Sequence, residues 1–146
     1  MDRLTERELI IDASLANLDA VLDTTEEVAS SCGASAKTVK QCQLAIEELF
    51  VNVANYAYPD GEGMACIRVS HPDDLTFWIE LSDDGIPYDP SSKKDPDVTV
   101  PLKKRGIGGM GIFMAKKIMD EMIYERREGQ NHLTLIKKLK GGNEVG

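Results

Sequence analysis

Residues 44–58 of the 146-residue chain read LAIEELFVNVANYAY, which predicts a helix with one apolar and one polar side. At about 100° per residue, the side chains of Glu48, Asn52 and Asn55 form a polar stripe with the spacing i, i+4 and i+7. The apolar side chains cluster on a different side of the same helix, which predicts a buried face. These apolar residues are Ile46, Leu49, Phe50, Val53 and Ala57.

The polar stripe has two interpretations, which its spacing alone leaves open. Polar stripes on helices usually face water. Asparagine, however, competes for backbone hydrogen bonds inside a helix, so Asn52 and Asn55 cost helix stability. An amide oxygen one turn from the Glu48 carboxylate also suits Mg²⁺, which prefers oxygen ligands. The carboxylate can deprotonate a nucleophile beside such an ion, so the second interpretation is a site for phosphoryl transfer.

The composition is that of a globular protein, and it argues against several kinds of partner. Hydrophobic residues make up 42% of the chain and the net charge is −8, so nucleic acid would be repelled on average. No stretch approaches the roughly 20 apolar residues that a membrane span needs, and the charged N-terminus shows no signal peptide. We therefore expect a cytoplasmic protein with no direct nucleic-acid or membrane partner. The three cysteines lack C-x-x-C spacing, which argues against a zinc site.

Hydrophobic periodicity and turn signals divide the chain into strands and helices around this central helix. We expect one sheet with helices on one face, a single domain over residues 1–140 and a flexible tail at residues 141–146. The predicted elements, in chain order, are a strand at Glu8–Ile11, a helix from Ser14 to Cys32, the central helix from Ser35 to about Tyr58, strands at Met64–Ser70 and Leu75–Leu81, a helix from Gly111 to Met122, and strands at Ile123–Glu125 and Leu133–Leu139.

An acidic turn, Asp83-Asp84-Gly85, directly follows the predicted strand Leu75–Leu81. Such a sequence is often a simple turn. A carboxylate held at a strand end can also accept a hydrogen bond from an exocyclic amine such as that of adenine. Gly85 would let the backbone approach the ring closely, and its spacing favours Asp83 over Asp84.

A glycine-rich segment, Gly106–Gly111, precedes the third helix and ends a long loop from Asp83 to Gly109 that contains four prolines. Four glycines in six residues free backbone N–H groups to face phosphate oxygens, next to a helix N-terminus. Lys104 and Arg105 add positive charge just before it. The segment fits G-x-G-x-x-G, but no apolar strand precedes it, which argues against a dinucleotide site; the absence of G-K-[ST] excludes a Walker A loop.

The order of these motifs resembles that of the GHKL (Bergerat-fold) ATPases. ELFVNVANYAY at residues 48–58 and GGMGIFMAKKIMD at residues 108–120 are most similar to the anti-sigma-factor serine kinases of bacteria. The resemblance spans nearly the whole chain. It implies an α+β two-layer sandwich, with a single mixed, mostly antiparallel sheet covered on one face by about three helices.

The resemblance also implies roles for individual residues. Asn52 would ligate Mg²⁺ bridging the ATP phosphates, and Glu48 would be the general base toward a serine hydroxyl. Asp83 would hold the adenine amino group, with Gly85 packed against the base. Thr134 could reach the adenine site through a water molecule, with the register of its strand left open.

The phosphate side of the site is implied in the same way. Gly108, Gly109 and Gly111 would form the phosphate-side loop, and residues from about Asp89 to Arg105, which include Lys104, would form a lid over ATP. Asn55 could point its amide at a phosphate. The family often has a histidine at this position or the next, so the role of Asn55 departs from the common pattern.

The resemblance implies an ATP- and Mg²⁺-dependent serine/threonine protein kinase. Such a kinase binds a sigma factor in one state and phosphorylates a STAS-domain anti-anti-sigma protein in another, commonly as a homodimer. The alternative is a non-catalytic, nucleotide-dependent protein-binding module with the same ATP site. A third hypothesis is a self-contained ATPase coupled to domain closure. We expect it less, because the sequence shows no second domain that would supply a cation to the γ-phosphate.

Overall fold

The computed structural model describes residues 6–73, 75–90 and 109–139, which form one sheet and the helices packed on it. A 3₁₀ turn at Leu15–Asn17 precedes the first α-helix, and a π turn at Val53–Ala57 follows the second. The elements are β1 (Glu6–Asp12), α1 (Leu18–Ser31), α2 (Ala36–Asn52), β2 (Met64–Asp73), β3 (Thr76–Asp83), α3 (Gly109–Ile118), β4 (Glu121–Arg127) and β5 (Gln130–Lys138).

The sheet has five strands in the order β1-β2-β3-β5-β4. All four pairings between the described strands are antiparallel. A sequence crossover therefore places β5, not β4, beside β3, and α3 lies in that crossover. The two-layer α+β fold with a mostly antiparallel sheet is confirmed, and its described strands contain no parallel pair.

One face of the sheet forms the core against the helices. Alternate side chains point there, and Ile67, Ile79 and Leu135 share one buried cluster with Ile46 and Phe50 of α2. Because side chains alternate along a strand, the neighbouring positions point to the other face.

The other face of the sheet is more polar. It carries a row of paired residues in register, from Glu8 to Arg68, Glu80 and Thr134, all of them partly or fully exposed. The two faces thus differ in chemistry as the period of two predicts.

The central helix forms where the sequence predicts it. Ser35 caps α2, because its Oγ accepts a hydrogen bond from the backbone N–H of Thr38 at 3.1 Å. Helical structure then continues to Ala57, as expected, but after Asn52 its last turn is a π turn. Side chains beyond Asn52 consequently leave the α-helical stripe, and Asn55 is one of them.

The third helix is shorter than its apolar pattern predicts. It begins at Gly109 and ends at Ile118, so the prediction that it runs from Gly111 to Met122 is wrong at both ends. Met122 lies in β4, paired with Leu135 of β5. The turn between α3 and β4 is fixed by Asp120, whose N–H donates to the Ile136 carbonyl at 2.9 Å and whose Oδ2 accepts from the Lys138 N–H at 2.6 Å.

The final strands are longer than predicted. β4 and β5 remain paired up to Arg127 and Gln130, around a two-residue turn at Glu128 and Gly129. Both turn residues have positive φ, 54° and 76°, which is typical of a type I′ hairpin turn.

Among the described residues, no helix combines the length and the apolar composition that a membrane-spanning helix needs.

Candidate functional site

A cavity of about 540 Å³ opens between the C-terminal part of α2, the π turn and the sheet. Small-molecule sites are mostly apolar with a few converging polar groups, and the lining of this cavity follows that pattern. Its amide and carboxylate groups come from Asn52, Asp83 and Asn131. The full lining is Leu49, Asn52, Val53, Tyr56, Ala57, Leu81, Asp83, Ile86, Tyr88, Pro90, Tyr124, Asn131 and Leu133.

Asp83, the last residue of β3, is buried with 6% of its surface exposed. Its Oδ1 accepts from the Gly85 N–H at 2.8 Å and from Asn131 Nδ2 at 3.0 Å. Its Oδ2 accepts from none of the residues that the structure describes. Asp84 is exposed and accepts from Gln130 Nε2 instead. The structure therefore places Asp83 in the cavity wall, and not Asp84.

Gly85 packs against the end of the π turn. A Cβ atom at this position would overlap the carbonyl oxygen and the Cβ of Ala57. The next residue, Ile86, donates its N–H to the same Ala57 carbonyl at 2.9 Å. A glycine is therefore required for the acidic turn to close onto the helix. Because π turns occur often at functional sites, this junction supports a binding role for the cavity.

Asn52 carries a buried polar atom that none of the described residues uses. Its Nδ2 has no hydrogen-bond partner among the described residues. An unsatisfied buried amide costs about 1–3 kcal/mol, so a native structure retains one for a reason. The amide fits a phosphate–Mg²⁺ pair, because its N–H can donate to a phosphate oxygen while its oxygen faces a cation.

The described side chains alone do not form a metal cage at this site. Within the described ranges, no group of three or more His, Cys, Asp or Glu side chains could hold a metal ion. Mg²⁺ usually takes one or two protein ligands and fills its other positions with water and substrate phosphates. The single amide of Asn52 fits that pattern.

Asn55 is not brought into the cavity with Asn52. It is exposed, and it is absent from the cavity wall. The π turn is the reason, because its wider turn advances each residue by a smaller angle than an α-helix and moves Asn55 out of the stripe. Only a ligand group outside the cavity could reach its side chain.

Glu48 lies one turn before Asn52 and contacts the start of α3. A Cβ atom on Gly111 would overlap Glu48 Oε2, so the carboxylate occupies the space that the glycine leaves open. Burial raises the pKa of Glu48, and the negative charge of Glu47 raises it further. The polar stripe of α2 and the glycine-rich segment therefore meet where Glu48 contacts Gly111.

Gly109 and Gly111 belong to the first turn of α3, so the prediction that the long loop includes Gly109 is wrong. Gly111 is helical, as the predicted helix from Gly111 implies. The N–H groups of a first helical turn lack intrahelical partners, which still suits them to bind an anion. Gly108, Lys104 and Arg105 lie outside the described residues.

Asn131 is a candidate site residue that was not predicted from the sequence. It begins the inward-facing row of β5, beside Asp83, where a water-mediated role had been left open for Thr134. That role is not supported, because Thr134 lies on the opposite face, between Glu80 and Ile123. A signal was present: asparagine is depleted in strands, and this one alternates with the apolar Leu133 and Leu135.

The sequence family described as a histidine kinase-like ATPase domain matches residues 11–137. The chain is 29% identical over 92 residues to the serine/threonine-protein kinase BtrW of Bordetella bronchiseptica, covering 63% of this chain and 65% of BtrW. It is 25% identical over 137 residues to the serine-protein kinase RsbW of Bacillus cereus, covering 91% of this chain and 85% of RsbW. The match to BtrW thus spans less than two thirds of that protein.

Two solved structures share the fold. One contains the RsbU and RsbW domains of a Mycobacterium tuberculosis protein, with a TM-score of 0.66 over 98% of this chain and 35% of that one, at 16% identity. The other is the histidine kinase domain of a blue-light activated kinase from Erythrobacter litoralis, with a TM-score of 0.54 over 85% of this chain and 60% of that one. The family match extends over most of the sheet and helices described above. The chain therefore belongs to the histidine kinase-like ATPase domain family, the GHKL or Bergerat-fold class.

Proposed function

We propose that this chain binds ATP with Mg²⁺ and transfers the γ-phosphate to a serine or threonine of a protein substrate. The observation that carries the proposal is that Asn52 Nδ2, which has no hydrogen-bond partner among the described residues, belongs to a side chain in the same cavity wall as Asp83. One group is suited to a phosphate with its cation, and the other to an exocyclic amine. A nucleoside triphosphate carries both partners.

The base of ATP would occupy the apolar part of the cavity. There the free Oδ2 of Asp83 accepts a hydrogen bond from the adenine amino group. Gly85 keeps the turn against Ala57, which leaves room for a flat ring between side chains such as Ile86 and Leu133. A buried acceptor of this kind distinguishes bases by their hydrogen-bond pattern.

The phosphates would extend past Asn52 toward the first turn of α3. Asn52 would hold Mg²⁺ through its amide oxygen, and the N–H groups of Gly109 and Gly111 in the first turn of α3 would face phosphate oxygens. Mg²⁺, when bound, would neutralise charge that develops on the transferred group. Lys104, Arg105 and Gly108 are proposed to complete this end of the site, with Asn55 reaching only a group outside the cavity.

Glu48 would be the general base. The hydroxyl oxygen of the substrate serine attacks the γ-phosphorus, its proton passes to the Glu48 carboxylate, and the bond to the bridging oxygen breaks to release ADP. The raised pKa of Glu48 makes this carboxylate a stronger base than an ordinary glutamate, which suits proton removal near neutral pH.

The proposed partners are a sigma factor and a STAS-domain anti-anti-sigma protein as the substrate. We also propose that the chain acts as a homodimer in the cytoplasm. The support for these points is the kinship with the RsbW serine-protein kinases. A non-catalytic binding module with the same ATP site is the competing proposal.

The first test is a calorimetric titration of ATP with and without Mg²⁺. The wild-type chain should bind ATP more tightly with the metal, and Asn52→Ala should weaken the Mg²⁺-dependent binding by roughly tenfold or more, equivalent to about 1.4 kcal/mol. Asn55→Ala is the matched control, because it removes an exposed asparagine from the same helical segment and should change little.

Each result bears on a separate part of the proposal. Absence of ATP binding by the wild-type chain would remove the proposed function. An equal loss in the Asn55 variant would show that the cavity placement of the two asparagines is wrong. Incubation with labelled ATP and a STAS-domain partner then separates the two proposals, because transfer to a serine excludes a purely binding role.

A further inference from the structure

Asn131 is surrounded by partners that use its whole side-chain amide. The residue is buried, with 6% of its surface exposed. Its Nδ2 donates to Asp83 Oδ1 at 3.0 Å and to the Ile86 carbonyl at 2.8 Å. Its Oδ1 accepts from the Tyr124 hydroxyl at 2.6 Å, and also from Arg126 at 3.2 Å. An amide has two donors and two acceptor lone pairs, so Asn131 has no capacity left for a ligand.

These bonds tie the turn after β3 to strands β4 and β5. Arg126 also donates to the Gly85 carbonyl at 2.8 Å, and the N–H of Tyr88 donates to Asn131 Oδ1 at 3.3 Å. The turn is therefore anchored at successive backbone groups by side chains from outside it. We name the set Asn131, Tyr124 and Arg126 the Asn131 bracket.

The bracket fixes the orientation of the Asp83 carboxylate. Oδ1 is held from two directions, by the Gly85 N–H and by Asn131 Nδ2. Since both bonds fall on the same oxygen, rotation of the carboxylate would break one or both of them. Oδ2, which accepts from no described residue, is then the atom left for a ligand donor in a cavity that Asp83 lines.

We propose that the Asn131 bracket sets the base selectivity of the nucleotide site by aiming Asp83 Oδ2 at the exocyclic amine of the base. This inference rests on the proposed function. Asn131 is a positioning residue, because its amide is saturated by protein groups and it acts only through Asp83. A merely structural role for Asn131 would instead support the binding of every nucleotide equally.

The test compares ATP with purine riboside triphosphate, which is ATP without the amino group, by calorimetry on the full chain. A hydrogen bond to a charged group is worth about 1.5–3 kcal/mol, so the wild-type chain should prefer ATP by roughly 10- to 100-fold. In Asn131→Ala this preference should fall toward unity, through a loss of ATP affinity. The affinity for purine riboside triphosphate should stay within about threefold, because this nucleotide lacks the amino group that Asp83 would bind.

Two further variants make the test specific. Tyr124→Phe keeps the ring in the cavity wall and removes only the hydroxyl that holds Asn131, so the preference should fall several-fold with the fold retained. Thr134→Ala, on the opposite face of the same strand, is the matched control and should keep the wild-type preference. If Asn131→Ala does not fold, the ratio in Tyr124→Phe decides.

The outcomes separate this inference from the proposed function. A wild-type chain that binds no ATP would end both. A wild-type chain that binds ATP and purine riboside triphosphate equally would overturn the inference and leave ATP binding in place. An unchanged preference in the Asn131 and Tyr124 variants, or an equal loss for both nucleotides, would also overturn it.

Discussion

The two ends of the cavity differ in how completely the protein pairs their polar groups. At the Asp83 end, Asn131 and its partners form a closed hydrogen-bond network. At the other end, the buried Nδ2 of Asn52 has no partner among the described residues, and Glu48 has a raised pKa. At the first end, described residues occupy Asp83 Oδ1 and the Asn131 amide and leave Asp83 Oδ2 for a ligand. The second is suited to be completed by phosphates and a cation.

This difference has an energetic consequence. A satisfied buried network adds rigidity, whereas an unpaired amide and a partly buried carboxylate both reduce the stability of the folded state. Proteins keep such costs mainly at functional sites. The comparison therefore predicts that variants at the Glu48 end trade activity for stability.

Glu48→Gln should have the largest effect of the variants at this end of the cavity, because it removes the proposed general base. Loss of a general base slows proton transfer by roughly 10²- to 10⁴-fold, so phosphoryl transfer should nearly cease while ATP affinity is little changed. Transfer to the protein substrate and calorimetric ATP binding measure the two parts. Glu47→Gln, at the neighbouring residue, is the control and should retain transfer.

The same variant should be more stable than the wild-type chain near neutral pH. The pKa of Glu48 is raised in the folded state, so the folded state is favoured by protonation and loses that advantage as the pH rises through the raised pKa. Glutamine, which carries no charge, avoids this loss, and the Tm should rise. Wild-type transfer rates in Glu48→Gln would contradict the role of Glu48 as the general base. A lower Tm would contradict the expected stability cost of its charge.

Gly111→Ala should have the next largest effect, because it moves the Glu48 carboxylate. The new methyl group would overlap Oε2, and the flexible end of the glutamate is the part that must shift. A displacement of about 1 Å at a catalytic group can cost 10²-fold in rate. Stability should not fall, since alanine favours a helix over glycine by about 1 kcal/mol.

Gly61→Ala is the matched control for this glycine variant. A Cβ atom at Gly61 would meet nothing within 4 Å, so transfer should be unchanged. An unaltered transfer rate in Gly111→Ala would mean that Glu48 does not act from its position beside α3.

The sequence predicts the helix face because its signal is local. Glu48 and Asn52 are one α-helical turn apart, and the structure keeps them on the same side of α2. The position of Asn55 could not be predicted in the same way, because a π turn replaces the α-helix after Asn52 and the residue pattern does not indicate this change. The polar stripe was therefore a good guide up to the residue where the helix changes type.

Strand register required information from across the sheet. With a period of two, a slip of one residue exchanges the faces of a strand, so β5 could turn either the face of Asn131 or the face of Thr134 toward the cavity. Pairing with β3 decides in favour of Asn131. The end of the third helix was missed for a similar reason, since Met122 points inward as a helical or a strand residue and the pairing of β4 with β5 selects the strand.

Glu47→Gln should produce the smallest change, and it tests the cause of the raised pKa at the incomplete end. Burial is the larger cause and the charge of Glu47 the smaller, so removing that charge should lower the pKa of Glu48 slightly. A base must be deprotonated to act, so the acid limb of the transfer rate should move to lower pH. Rate profiles between about pH 5 and 8 at saturating ATP would record the shift.

Glu62→Gln provides the matched control for this charge change. It removes the same charge from an exposed residue in the segment after the π turn, and it should leave the acid limb in place. An equal shift in both variants would assign the effect to net charge and not to the neighbour of Glu48. A shift to higher pH in Glu47→Gln would contradict the proposed base, because losing a nearby negative charge cannot make a carboxylate harder to ionise.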